Sequence, residues 1–127
     1  MVVTREMNQE LVAPFERAEV DTALKQMDSL RALGPDGMPP LFFQHFWSAI
    51  GDEVVEAALT CLNTGLIPPS INRTFITLIL KVISPVRVLD YHPIALCNIL
   101  YKLISKVLAN RLKKILHCVI SESQSDF

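Results

Sequence analysis

The sequence predicts an α+β fold, mostly helical, formed as one unit over residues 1–127, and three observations carry that expectation. Half of the residues are hydrophobic and a fifth are charged, the composition of a globular protein rather than a disordered one. A chain of 127 residues matches one domain and can bury a core. Apolar residues recur at helical spacing through most of the chain, whereas two short stretches near its middle have strand character. No internal repeat, low-complexity tract or linker divides it.

From Phe15 to Leu30, Val20, Ala23, Leu24, Met27 and Leu30 share one helical face. Glu16, Glu19 and Asp21 lie early and Lys25 and Arg31 late, which suits the helix dipole. Gly34-Pro35-Asp36-Gly37 must then be a turn, because two glycines and a proline forbid continuation. Pro39-Pro40 open an aromatic-rich segment, Leu41 to Trp47, expected as a short buried helix. Another helix is expected from Asp52-Glu53, with Val55, Ala58, Leu59 and Leu62 on one face, ending at Gly65 and Pro68-Pro69.

Thr74 to Ile79 is β-branched and apolar, a strand with Lys81 just past its end. Ser84-Pro85 reads as a turn, and Tyr91 to Leu96, interrupted by Pro93, as an edge strand or extended segment. Asn98 is placed to cap the longest helix, to about His117, with Leu100, Leu103, Ile104, Val107, Leu108 and Ile115 in one arc. Lys102, Lys106, Asn110, Lys113 and His117 line the opposite side. Arg111 falls inside the apolar arc, where a guanidinium requires a carboxylate, carbonyls or phosphate.

Charge is divided unevenly along the chain. The first 62 residues hold four basic groups against ten acidic, net −6, and the remaining 65 hold eight against three, net +5. A polyanion, if one binds, meets the C-terminal half, although solvated surface charge gives the same pattern. The aligned lysines of the last helix suit a phosphate backbone and equally suit a solvated helix face. Asp36 fits a turn-completing role before a catalytic one, and the aromatic cluster fits a core before a base-stacking platform.

Other chemistries find little support. No apolar run reaches the roughly 20 residues that span a bilayer, and residues 1–10 lack a secretory pattern, so no membrane partner and an intracellular, nuclear or cytoplasmic, setting are expected. Cys61, Cys97 and Cys118 are too dispersed for a zinc site or a disulfide framework. No P-loop, nucleophile motif or adjacent pair of aspartates is present, so no catalytic residue and no metal ligand is assigned.

Three segments in order resemble the reverse transcriptases of plant LINE-type (non-LTR) retrotransposons. Ala32 to Pro39, leading into Phe42-Phe43-Gln44-His45-Phe46-Trp47, is similar to that family's (K)APGPDG loop and the FFxxFW segment after it. Ile71-Asn72-Arg73-Thr74-Phe75-Ile76-Thr77-Leu78-Ile79-Leu80-Lys81 is similar to its INxTFITLIPK strand. Tyr91 to Lys102, continuing from Ser105 to Leu112, resembles its FRPISLCN, YK and SKVLANRL run, and Ile120 to Phe127 its ISExQSAF.

The resemblance implies the fingers and the start of the palm of a right-hand polymerase that copies RNA into DNA, a partial reverse transcriptase domain over residues 1–127. Lys81 would contact the incoming nucleotide, and His92 stands where the family has an arginine; an unperturbed histidine is mostly neutral at pH 7 and lacks the charged fork. Lys102, Lys106, Arg111 and Lys113 would face RNA template and DNA primer, and Gly34, Pro35, Asp36 and Gly37 would form the loop before the fingers. Leu80 and Asp126 also depart from the family's proline and alanine, as in a diverged copy of an element. The magnesium-binding aspartates of the complete enzyme are expected beyond Phe127, so the chain is expected to need no cofactor and to be inactive alone, its apolar surface covered by the palm or a partner protein. Two rival readings remain, a helical interaction module derived from the element and a relic without function.

Overall fold

The computed structural model describes residues 3–120; Glu122, Asp126 and the terminal match from Ser121 onward lie outside the described residues. In order, the elements are α1 (Arg5–Val12), α2 (Arg17–Lys25), α3 (Pro40–His45), α4 (Trp47–Thr64), α5 (Pro69–Asn72), β1 (Thr74–Leu80), a 3-10 turn (Val88–Asp90), β2 (Tyr91–Cys97) and α6 (Ile99–Val119). The class is therefore α+β and mostly helical, as the periodicity predicts.

The core lies where α2, α4 and α6 meet. Val20, Ala23 and Leu24 from α2, Val55, Ala58 and Cys61 from α4, and Leu103, Ile104 and Val107 from α6 are all buried. Small residues at Ala23 and Ala58, both fully buried, let the helices approach closely. At the edge of this core the Trp47 indole donates to Asp21 Oδ1 at 3.0 Å, joining α4 to α2.

Several element boundaries move from those expected. The first amphipathic helix ends at Lys25, five residues early, and Leu30 is 82% exposed rather than on the core face. Local competition explains it: Asp28 Oδ1 accepts from the Leu30 amide at 3.1 Å, and the Gln44 amide donates to the Leu24 and Met27 carbonyls at 3.0 and 2.9 Å. The aromatic segment is only half-buried, since Leu41, Phe42 and Phe46 are exposed while Phe43 and Trp47 reach the core. α4 begins at Trp47, before Asp52, with Gly51 against the indole face, and stops as expected at Gly65 (φ 72°). Two further helices lie where the apolar periodicity predicts none: α1, where Thr4 Oγ1 accepts from Met7 N at 3.2 Å, and α5.

β1 and β2 pair antiparallel, from Thr74↔Cys97 to Leu80↔Tyr91. The hairpin projects from the helices with both faces apolar: Phe75, Ile76, Leu78, Ile79 and Leu80 are all close to half exposed or more. Its tip is organised by Asp90, whose Oδ2 accepts from the Val86 and Arg87 amides at 3.0 and 2.9 Å. Those two backbone bonds hold the Asp90 carboxyl below its ordinary range.

Candidate functional site

The Gly34–Gly37 loop reaches the start of α6 and closes it. Gly37 N donates to Gly34 O at 3.0 Å, with proline and aspartate between them and Gly37 at φ 67°, as a tight turn requires. Asp36 Oδ2 accepts from Ile99 N at 3.0 Å, the first amide of α6, while Asp36 N donates to Asn98 Oδ1 at 3.1 Å. Asn98 was the expected cap, yet its side chain is turned to Asp36 N and to Ser70 O at 3.0 Å, so the capping carboxylate comes from 63 residues away. Gly34 is needed for this contact, because a Cβ there would sit 2.2 Å from Cys97 O. Asp36 is thus a positioning residue, tying the loop to the strand–helix junction.

Arg111 is buried, 8% exposed, and finds two of the three partners that its place in the apolar arc demands. Its Nε and one Nη donate to the two Glu19 carboxylate oxygens at 2.6 and 2.8 Å. The remaining donors go to the carbonyls of Leu11 (3.1 Å), Ala13 and Pro14 (2.9 Å), and the guanidinium lies 3.6 Å from the Phe15 ring centroid. All five guanidinium N–H groups are committed, so none is left for phosphate. The nucleic-acid role expected for Arg111 gives way to a structural one, a clamp joining α6 to α2, to the last turn of α1 and to the segment that follows it. Arg111's hydrogen bonds hold the Glu19 carboxyl below its ordinary range against the opposing effect of burial, and Lys114 adds a smaller electrostatic pull.

Beside this clamp, α2 and α6 enclose a shallow groove lined by Thr22, Gln26, Lys106, Asn110, Lys113 and Lys114. Asn110 Nδ2 bridges it, donating to Gln26 Oε1 at 2.8 Å. Lys106 and Lys113 therefore come together as expected. Lys114 joins them, a residue that helical phase alone does not mark and that the facing wall of Thr22 and Gln26 brings into the groove. Among the described residues none of these three ammonium groups forms an ion pair. Lys102 stands one turn before Lys106, with Nζ donating to Ala32 O at 2.6 Å, so part of its hydrogen-bonding capacity is spent on the Gly34 loop.

Lys81 and His92 are elsewhere, on the exposed hairpin. Lys81 N donates to Asp90 O at 2.8 Å just beyond β1, and its Nζ leans toward Leu89 O at 3.4 Å. His92 lies opposite Ile79 on the same face as Lys81. The fold thus separates the expected residues into a loop that caps α6, a groove on α6 and a hairpin tip. Among the described residues no group of three or more His, Cys, Asp or Glu side chains could hold a metal ion, and no helix is long and apolar enough to cross a membrane.

Fold and groove together define an α+β, mainly helical protein with a cationic channel between two of its core helices. The chain is similar to a transposon-encoded protein: it is 29% identical over 124 residues to the Transposon TX1 uncharacterized 149 kDa protein of Xenopus laevis. That alignment takes in 98% of this chain and 10% of the relative, so the chain spans about a tenth of the length of the protein it matches. No protein-family model matches it.

Proposed function

We propose that these residues are the fingers and early palm portion of a non-LTR retrotransposon reverse transcriptase, and that they hold nucleic acid while chemistry takes place on carboxylates outside them. The observation that carries the reading is the groove of Lys106, Lys113 and Lys114, whose ammonium groups line one channel with uncharged hydrogen-bonding partners across it on α2. Such a channel follows a phosphodiester backbone without reading its sequence. The ordered resemblance of the loop, strand and helix segments supports the polymerase assignment, and the similarity to a transposon protein along nearly the whole chain supports the origin.

In this reading Asp36 and Gly34 fix the start of α6, and the Arg111–Glu19 clamp fixes its middle, so the lysines stand on a rigid rod. Lys81 at the exposed hairpin would meet the incoming nucleotide, with His92 beside it as a weaker anion partner than the family's arginine. The apolar hairpin faces would lie against the rest of the polymerase. Magnesium in the complete enzyme would activate the primer 3′-hydroxyl, and no residue of this chain is assigned to hold it.

The purified chain, given an annealed RNA template and DNA primer with magnesium and deoxynucleoside triphosphates, is expected to bind the hybrid and leave the primer unextended. Extension that persists after removal of contaminating polymerase would overturn the assignment of chemistry elsewhere, and absence of hybrid binding at low salt would overturn the groove.

A further inference from the structure

The hairpin has two free edges of opposite character. Lys81 N donates to Asp90 O, which makes that position a hydrogen-bonded pair, and such pairs alternate along an antiparallel ladder. Phe75, Thr77 and Ile79 therefore turn their amides and carbonyls toward β2, while Thr74, Ile76, Leu78 and Leu80 turn theirs outward. Among the described residues none of those outward groups has a backbone partner. The same alternation aims the Pro93 nitrogen outward on β2, where it removes a donor from that edge.

From this geometry we infer that the β1 edge is an interaction surface for a second copy of this chain, the two β1 strands pairing antiparallel across a two-fold axis at Thr77. The register is self-complementary. A two-fold at Thr77 sets Ile76 opposite Leu78 of the second copy and Thr74 opposite its Leu80, so all four outward residues of each strand exchange hydrogen bonds. The paired strands bring Phe75 beside the other copy's Ile79 on one face, and Ile76 beside Leu78 on the other, both now half exposed. Thr77 meets its own copy at the close, non-hydrogen-bonded position.

Nothing on the segment opposes this pairing. Thr74–Leu80 carries no charge, proline or glycine, the features by which open edges are protected. Pro93 protects the other edge, so growth ends at four strands and the product is a closed dimer rather than a fibre. This inference is independent of the polymerase reading.

Sedimentation of the full chain at high micromolar concentration is expected to give twice the monomer mass. Leu78→Pro deletes one outward donor and leaves the β1–β2 ladder intact, and it is expected to return the monomer mass with an unchanged helical circular dichroism spectrum. Pro93→Val restores the missing donor and is expected to convert the dimer to larger assemblies. A wild-type monomer, as would follow if the edge serves only a strand of some other polypeptide, overturns the inference, as does a dimer that survives Leu78→Pro. Should that variant fail to fold, Thr77→Cys decides: mild oxidation is expected to yield the symmetric 77–77 disulfide, and its absence contradicts the pairing.

Discussion

Two residues far apart in the chain show how single side chains hold this structure. Replacing Arg111 by Met would leave Glu19 without its two-pronged partner and the Leu11, Ala13 and Pro14 carbonyls without their donor; because water can reach the partly exposed carboxylate, the loss should be about 1.5–3 kcal/mol. Urea denaturation followed by circular dichroism measures it, and Lys at this position restores only part, because an ammonium cannot bond both carboxylate oxygens in a planar fork. Glu19 also carries a pH dependence. Its carboxyl is lowered in the folded state, so its stabilisation is fully present above the unfolded value of about 4.3 and is lost as pH falls through the lowered folded value. Stability should therefore hold between pH 5 and pH 7 in rough terms and fall below about pH 4, with a flatter profile in Glu19→Gln. At Gly34, an added methyl would meet the Cys97 and Asn98 backbone, which cannot turn aside as a side chain can. Gly34→Ala should cost about 1–3 kcal/mol, and thermal melting reads it directly.

At the scale of elements, α6 combines three tasks on three faces: a core stripe, a clamp through Arg111 and a cationic edge. Exchanging Lys106 and Lys113 for Gln leaves the first two untouched. Stability should change by less than about 0.5 kcal/mol, as for surface positions, while affinity for an RNA–DNA hybrid falls. Filter binding beside a thermal melt separates the two effects. Elements with strong periodicity were legible in the sequence: the strand at Thr74, the stop of α4 at Gly65, and α6 with most of its buried arc, although Leu108, expected on that arc, is 48% exposed at its flank. The early end of α2 was not, because it depends on Gln44 arriving from α3 to take the carbonyls that a longer helix would have used. Asn98 misled for a related reason, since local capping rules see a favourable residue and cannot see Asp36 arriving from the Gly34 loop. Arg111 was half legible: its place in an apolar arc demanded a partner, and only the folded chain shows Glu19 and three carbonyls supplying it.

At the scale of the whole molecule, the charge asymmetry of the sequence becomes a location. Acidic residues decorate α1, α2 and α4, and Lys106, Lys113 and Lys114 converge on the α2–α6 groove, beside the buried Arg111 and apart from the exposed hairpin. The separation explains why the candidate site was only partly readable beforehand. Lys106 and Lys113 follow from helical phase, Lys114 needs the opposite wall supplied by α2, and Arg111 leaves the set because the N-terminal segment folds over it. The central claim is that this groove holds a phosphate backbone. It is tested most directly by fluorescence anisotropy of a labelled RNA–DNA hybrid, titrated with the full chain across a series of salt concentrations. If Lys106, Lys113 and Lys114 each neutralise a phosphate, the logarithm of affinity should fall against the logarithm of salt with a slope of about −2 to −3, and the triple Gln variant should flatten it. Binding with no salt dependence, or a slope unchanged in the triple variant, would contradict the account.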